Sequence, residues 1–250
     1  MKKRFLLFML PLVASLSFVS CEKEDDNKDD QVQTDKTCME MCTTFGETNG
    51  VEYVDLGLPS GNLWATMNVG ADKIEARGNL YAWGETSPRE NFIGCDYSYY
   101  KETESADGYT KYVPSDENNN VGFEGFSDGK YVLDLVDDVA HVQLGGSWRI
   151  PTRCDYEELI ANCTSEWVTY EGVGGCKITA KNGKSIFLPA GWDEKSLSNG
   201  VNGIYWASTC NESGNGAYAL DIAENENKCN ITDPYPRTYG NCVRAVCPVK

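Results

Sequence analysis

The sequence predicts a single α+β domain made of short antiparallel strands, one or two helices and long loops. Three observations predict this class. Short runs with strand-like alternation recur along the chain, the segment after Thr152 has helical periodicity, and the composition is globular from Val51 to Val249 without a linker or tandem repeat. We therefore assign residues 51–250 to one domain.

The first predicted elements form a strand–turn–strand unit. Residues 52–56 and 62–66 are short runs of mixed alternation, and the intervening Gly57 to Gly61 segment contains turn-forming Gly, Pro and Ser. Residues 86–130 are rich in Asp, Asn, Ser, Gly and Tyr with little periodicity, so they predict long surface loops with a strand at 109–113.

The clearest helix is predicted to begin at Thr152. Thr152 and Asp155 have the spacing of a capping box, in which each side chain satisfies a backbone N–H of the first turn. Apolar positions then recur at helical spacing and should face the core: Tyr156, Leu159, Ile160 and Cys163.

A hairpin is predicted after this helix. Residues 176–180 and 185–189 flank Asn182 and Gly183, a pair that readily adopts the positive φ angles of a tight turn. Further strands are predicted at 204–208, 217–222 and 242–247.

Residues 1–20 have the features of an export signal. Three positive charges precede an apolar stretch from Phe5 to Val19, which is too short to span a bilayer stably. The ending Phe-Val-Ser-Cys resembles a bacterial lipobox, which implies that Cys21 is acylated and becomes the first mature residue. The alternative is an ordinary cleaved signal, with Cys21 in a disulfide.

Residues 21–50 are predicted to be a disordered, acidic tether. The nine residues after Cys21 include no apolar side chain, so they cannot repay the entropy of ordering. An acidic stretch at this place resembles the export signal of Bacteroides-type surface lipoproteins, while a plain solvated spacer is the alternative. We therefore expect an outer-membrane protein that is lipid-anchored at the cell surface and contacts the membrane only through its lipid.

The charge of the chain excludes some partners. Thirty-eight Asp and Glu against 22 Lys and Arg give a formal net charge of −16, which repels nucleic acids and anionic head groups. The chain has one histidine, His141, so a site that needs two or more histidines is excluded, and most acid–base schemes that use imidazole are disfavoured. We expect His141 to lie at the end of a short helix instead.

Cysteine is abundant for an exported chain. Ten cysteines besides Cys21 allow up to five disulfides, whose connectivity the sequence does not give. A zinc site is the alternative, but no CxxC pair occurs, and we expect no metal ligand.

Several motifs in one order resemble the Fibrobacter succinogenes major paralogous domain family, across residues 51–247. They are YVDLGLPSGNLWAT at 53–66, NVGA at 68–71, YAWGE at 81–85, DDVAH at 137–141, GGSWRIPT at 145–152, NGKSIFLPA at 182–190, YWAS at 205–208 and VRAV at 243–246. This resemblance implies a C-type-lectin-like fold, common in surface lipoproteins of Bacteroides-like bacteria, and it implies no catalytic residue.

A lectin-like fold raises the question of calcium. No loop has the DxDxDG spacing, and neither a Glu-Pro-Asn nor a Trp-Asn-Asp triplet occurs. We therefore expect no cofactor, although a structural calcium ion held by scattered loop oxygens is left open.

Aromatic residues in the polar loops are the candidate ligand-binding groups, because they combine a flat apolar face with a polar edge. We select the aromatic residues Tyr97, Tyr99, Tyr100 and Trp192 and the adjacent Asp193, and Tyr109 and Tyr112 also lie in the polar loops. The alternative is that these rings pin the loops onto the domain. Arg149 and Arg244 are expected in buried or half-buried ion pairs with acids such as Asp55, Glu85 or Asp137. The tryptophans in or beside apolar runs are expected in the core: Trp64, Trp83, Trp148, Trp167 and Trp206.

The sequence therefore predicts a non-catalytic surface module for adhesion, which recognises a glycan or a surface or matrix protein through loops. Two alternatives remain. One is a structural subunit of an envelope complex, and the other is a carbohydrate-active hydrolase with paired carboxylates.

Overall fold

The fold is β-rich, which corrects the predicted α+β class. A computed structural model describes residues 46–89, 96–114, 121–191, 200–225, 228–232 and 234–249. Of these residues, 41% lie in strands and 13% in helices, and the strands form four small antiparallel sheets. The two predicted helical segments exist, but they are too short to make helix a main layer of the domain.

The first sheet joins the two ends of the described chain. It contains β1 (Gly46–Thr48), β2 (Val51–Asp55), β3 (Leu63–Asn68) and β13 (Arg244–Cys247), in the order β1–β2–β3–β13. The predicted strand–turn–strand unit is β2–β3. Because β1 pairs with β2, ordered structure extends into the segment predicted as tether.

The second sheet contains the predicted hairpin. Strands β7 (Val173–Ala180) and β8 (Ser185–Pro189) pair across the Asn182-Gly183 turn, as predicted. A strand that the sequence analysis missed, β6 (Cys163–Tyr170), pairs with β7 along its whole length. It was missed because Cys163 completes the helical apolar stripe, and no Gly or Pro marks the change from helix to strand.

The third sheet is built around β10 (Gly216–Ala223). It pairs with β9 (Asn202–Cys210) on one side and with β11 (Lys228–Ile231) and β12 (Tyr235–Pro236) on the other. A small hairpin, β4 (Tyr100–Glu102) with β5 (Asp107–Tyr109), lies in the loop region, where a strand was predicted at 109–113.

Two α-helices occur among the described residues. Helix α1 spans Val139–Leu144, and α2 spans Arg153–Asn162 and begins with the predicted capping box of Thr152 and Asp155. Two 3₁₀ turns, Phe123–Gly125 and Leu135–Asp137, lie before α1. No helix in the described part of the chain has the length and apolar character needed to cross a bilayer.

Four of the predicted core tryptophans are fully buried: Trp64, Trp83, Trp148 and Trp206. The indole N–H of Trp83 donates to the Ala207 carbonyl at 2.8 Å, and that of Trp206 to the Tyr81 carbonyl at 2.7 Å. A buried polar group costs free energy unless it is hydrogen-bonded. These two hydrogen bonds satisfy the indole groups and hold residues 81–83 against β9.

Arg149 forms the predicted half-buried ion pair, but with Asp155 rather than with one of the three acids named, and the side-chain bonds given for Arg244 go to an amide and to carbonyls. Arg149 donates to both oxygens of Asp155, at 2.7 and 3.2 Å. The buried Arg244 donates to the side chain of Asn68 and to the backbone carbonyls of Ala65, Thr66 and Phe187.

Seven cysteines lie in the described ranges, and all carry free thiols in this structure: Cys154, Cys163, Cys176, Cys210, Cys229, Cys242 and Cys247. Cys21, Cys38, Cys42 and Cys95 lie outside those ranges.

Candidate binding site

The tyrosine-rich loop at 96–114 is organised around Arg237, which is fully buried. Its guanidinium donates to the carbonyls of Lys111 at 2.9 Å, Tyr112 at 3.2 Å and Gly214 at 2.8 Å. Its Nε donates to the hydroxyl of Tyr97 at 3.2 Å. One side chain therefore holds the loop against the turn that leads into β10, and the loop has a fixed shape before any ligand binds.

The same guanidinium stacks on aromatic rings. It lies 4.4 Å from the ring centroid of Tyr109, 4.8 Å from that of Trp83 and 5.5 Å from that of Tyr97. These contacts between a cation and aromatic faces help to offset the cost of burying the charge. Sequence analysis missed Arg237, because a single arginine in the polar segment at 234–240 carries no periodic signal.

The predicted ligand-binding residues have different environments. Tyr97 is only 2% exposed, so its ring belongs to the core rather than to a surface. Tyr99 and Tyr100 are half-buried. Trp192 and Asp193 lie outside the described residues. The alternative that the rings pin the loops onto the domain describes Tyr97 and the fully buried Tyr112.

Asp137 connects the tyrosine loop to the segment before α1. Its carboxylate accepts hydrogen bonds from Tyr99 at 2.8 Å, from Tyr112 and from Lys111, with which it also forms an ion pair. Burial alone would raise the pKa of Asp137, but these three donors outweigh it and hold the pKa below its usual value. Asp137 is therefore charged and fully engaged at neutral pH.

The outer part of the loop is the β4–β5 hairpin. The rings of Tyr100 and Tyr109 meet edge to face with centroids 5.2 Å apart. The Tyr100 hydroxyl donates to Asp107, and this hydrogen bond, together with some burial, raises the pKa of Tyr100 to about 12. Tyr100 is therefore neutral, and its half-buried ring lies beside the exposed hairpin residues Lys101, Glu102 and Asp107.

The segment after the hairpin places apolar side chains in solvent. Of the seven exposed large hydrophobic residues in the described chain, six lie between positions 126 and 142. We call these six residues the apolar strip: Phe126, Tyr131, Val132, Leu135, Val136 and Val142. Val136 is 71% exposed, so it contributes almost nothing to the core. Exposed apolar residues that concentrate in one segment are typical of interaction surfaces.

The strip is held firmly by backbone hydrogen bonds. Leu133 donates to the carbonyl of Ser208 at 3.0 Å, and Cys210 donates to the carbonyl of Tyr131 at 2.8 Å, so this segment lies along β9. The Asp134 N–H donates to the hydroxyl of Tyr112 at 3.0 Å. Residues 131–134 are therefore bonded both to β9 and to the tyrosine loop.

Sequence analysis did not identify the strip, although a signal exists. Nine apolar residues lie within 131–144, more than one face of such short elements can bury. Of these residues, Leu133, Val139 and Ala140 are buried in the core. The pattern does not say which apolar residues stay outside, because turns rather than a regular period set their directions.

The acids beside the single histidine have structural roles. Asp138 caps α1 by accepting from the His141 N–H at 3.0 Å, and its other oxygen accepts from the Ile150 N–H at 2.8 Å. Burial raises the pKa of Asp138 above its usual value despite these bonds. His141 Nδ1 lies 3.3 Å from the Trp148 carbonyl. These groups hold α1 and the following turn in place.

A cavity lies beside the first sheet. It is a cavity of about 370 Å3 with polar and apolar walls, which include Glu47, Glu52, Thr66, Val69 and Leu144. Among the predicted ligand-binding residues that the structure describes, Tyr97, Tyr99 and Tyr100 do not line it. Within the described ranges, no group of three or more His, Cys, Asp or Glu residues is arranged to hold a metal ion.

Comparisons with known family models, with curated proteins and with solved structures found no match.

Proposed function

We propose that this protein is a surface-anchored, non-catalytic binding module, and that the apolar strip with the adjoining tyrosine loop is its ligand-binding face. The observation that carries the proposal is the concentration of six exposed apolar side chains in one segment, whose residues 131–134 are hydrogen-bonded to β9 and the tyrosine loop. A preorganised surface loses little conformational entropy on binding, so it suits recognition.

Aliphatic groups favour a protein ligand over a glycan for this face. Four of the six strip residues are aliphatic, and the three most exposed, Leu135, Val136 and Val142, offer hydrophobic contacts without a ring face; Phe126 and Tyr131 supply the two rings. Protein interfaces combine such a core with a polar rim, here Lys130 and Asp134, which form an exposed ion pair. A surface or matrix protein is the ligand class that we propose.

A glycan is the second candidate, and the β4–β5 hairpin favours it. The half-buried rings of Tyr100 and Tyr109 pair beside the exposed Asp107, a combination suited to hydroxyl-rich ligands. The two candidates use different residues, so variants distinguish them.

The proposed location is the outer membrane surface, with a lipid on Cys21. The lipobox-like ending, the acidic residues after Cys21 and the motifs that resemble the Fibrobacter succinogenes major paralogous family support it. Replacement of Cys21 by Ser should abolish incorporation of labelled fatty acid and release the protein from membranes. Retention of the label in that variant would contradict lipidation at Cys21.

The binding experiment uses the purified protein on a combined array of glycans and extracellular matrix proteins, with calcium and again with a chelator. The Leu135→Ser/Val136→Ser variant should weaken binding to a matrix protein at least tenfold, because the two apolar side chains that would be buried on binding are lost. Val249→Ser is the matched control, because Val249 is 57% exposed but lies outside the strip, and it should bind normally.

Other outcomes point elsewhere. Glycan binding that Tyr100→Ala abolishes and the strip variant retains would select the glycan candidate. No binding on the array by a folded protein would favour an assembly subunit, which one stoichiometric partner in detergent extracts would identify. Glycan cleavage that disappears on replacement of one Asp or Glu, without unfolding, would establish a hydrolase instead.

A further inference from the structure

The cavity beside the first sheet has the size of a small-molecule site. Its volume of about 370 Å3 lies within the range of pockets that bind small ligands. The β1–β2 hairpin, the end of β3 with the residues that follow it, and Leu144 at the end of α1 form its walls. No residue of the apolar strip lines it, so the cavity is separate from the binding face proposed above.

Hydrogen bonds within the domain hold these walls in place. The side chain of Asn49, in the turn between β1 and β2, donates to the carbonyl of Leu144. On the opposite wall, the Val69 N–H donates to the Val243 carbonyl at 2.9 Å, and the Val69 carbonyl accepts from the Asn79 N–H at 3.1 Å. The hairpin, α1 and the end of β3 are thus joined around the cavity by bonds of the protein itself.

Two glutamates line the cavity from neighbouring strands. Glu47 on β1 and Glu52 on β2 are register partners in the antiparallel ladder, and both are exposed. Residues directly opposite each other in such a ladder share one face of the sheet, and two like charges in these positions destabilise the pairing. A cation between the two carboxylates would remove this repulsion.

The protein does not supply that cation within its described residues. The described residues that line the cavity include no Lys, Arg or His. The ion pairs between described residues likewise do not involve Glu47 or Glu52. The charge that complements this pair therefore has to come from a ligand.

The rest of the lining is mainly apolar. Val69 is buried, and Val51, Met67 and Leu144 are half-buried. Asn68 is a polar exception, but its side chain already donates to the Arg77 carbonyl and accepts from Arg244. Such walls suit the apolar body of a ligand rather than a chain of hydroxyl groups.

We propose that this cavity binds a small organic cation, which has a primary ammonium group on an apolar body. The ammonium group lies between the carboxylates of Glu47 and Glu52. Because it has three N–H donors, it can serve both acids with charge-assisted hydrogen bonds. The apolar body packs on Val69 and Leu144, where its burial removes apolar surface from water.

A pair of probes of the same shape tests the charge of the ligand. Phenethylamine carries the ammonium group, and 2-phenylethanol is its neutral counterpart. In nuclear magnetic resonance titrations of the purified protein, phenethylamine should shift the backbone amide signals of Gly50, Val69, Gly70 and Ala71 saturably. We expect it to bind about tenfold more tightly than the alcohol. This preference should decrease as the salt concentration rises, because salt screens exposed charges.

Two results of these titrations would overturn the proposal. Equal affinities for the amine and the alcohol would show that the cavity does not select a cation. The absence of a saturable shift at the cavity residues would show that the cavity does not bind this class of ligand.

Variants test the role of the two acids. The Glu47→Gln/Glu52→Gln variant keeps the shape of both side chains and removes the repulsion, so it should fold normally and bind phenethylamine about tenfold more weakly. Glu102→Gln is the matched control, because Glu102 is also an exposed strand residue but does not line the cavity, and it should bind normally. Equal losses in the two variants would mean that only the net charge of the protein attracts the amine, which contradicts a built site.

The variant of the apolar strip separates this site from the proposed binding face. Leu135→Ser/Val136→Ser should retain the affinity for phenethylamine, because neither residue lines the cavity. The loss of amine binding in that variant, with the fold intact, would contradict the location proposed here.

Discussion

The Nε of Arg237 donates to the hydroxyl of Tyr97 at 3.2 Å, and this hydroxyl in turn donates to the Trp83 carbonyl at 2.5 Å. A cation that the sequence places in a short polar segment thereby becomes the centre of an aromatic core. The tyrosine loop depends on this side chain, because the guanidinium also donates to carbonyls of the loop and to the carbonyl of Gly214 in the turn before β10.

Replacing Arg237 by Met should lower the free energy of unfolding by about 3–5 kcal/mol, because several buried acceptors lose their donor while the side-chain volume is largely kept. Urea denaturation followed by tryptophan fluorescence measures this change. Arg153→Met is the matched control, since Arg153 forms an exposed ion pair with Glu157, and it should change stability by no more than about 0.5 kcal/mol. Equal effects of the two substitutions would contradict a central role for Arg237.

Asp155 should make stability depend on pH. Burial alone would raise its pKa, but hydrogen bonds from Arg149 and Thr152 and the charge of Arg149 lower it below 3.8. Because the folded-state pKa lies below the unfolded-state value, this contribution is complete above about pH 4 and declines as the pH falls through the folded-state pKa. Asp155→Asn should therefore cost about 2 kcal/mol at pH 7 and clearly less at pH 3.

Denaturation curves at the two pH values test this dependence. Asp134→Asn is the control, because Asp134 forms an exposed ion pair with Lys130, and it should change stability by less than about 0.5 kcal/mol at either pH. A cost of Asp155→Asn that is the same at pH 3 and pH 7 would show that the charge of Asp155 does not matter.

The cap of α2 gives a third prediction. The Thr152 hydroxyl accepts from the Asp155 N–H at 3.2 Å, and Asp155 accepts from the Thr152 N–H at 2.6 Å. Thr152→Ala should lower the free energy of unfolding by about 1 kcal/mol, whereas Thr152→Ser keeps the hydroxyl and should recover most of the loss. If both variants lose the same amount, the hydroxyl is not the stabilising group.

The cap and the Asn182-Gly183 hairpin were predictable because their signals are local: a few residues fix the conformation through their own hydrogen bonds and φ angles. The fold class was not, because the strand β6 has a sequence that also continues the helical stripe through Cys163. Only pairing with β7, a tertiary interaction, makes it a strand.

The candidate site shows the same limit. The sequence showed that tyrosines crowd the polar loop, but not that Tyr97 faces inward, because Arg237 is distant in sequence and determines that direction. The exposure of Val136 was likewise unpredictable, since it follows from a single 3₁₀ turn.

Asn241 gives the last prediction, because it carries an unpaired polar group in the core. Its backbone exchanges hydrogen bonds with Tyr81, at 3.1 Å in each direction, but its fully buried side-chain amide has no hydrogen-bond partner among the described residues. Such a group costs about 1–3 kcal/mol, and an apolar residue of similar shape removes that cost. Asn241→Leu should therefore raise the free energy of unfolding by about 1–2 kcal/mol in urea denaturation.

Asn62→Leu is the matched control: the Asn62 amide donates to Asp155 at 2.6 Å, so this substitution should destabilise the protein. Similar losses in both variants would show that the Asn241 amide is satisfied in solution, as by a buried water molecule.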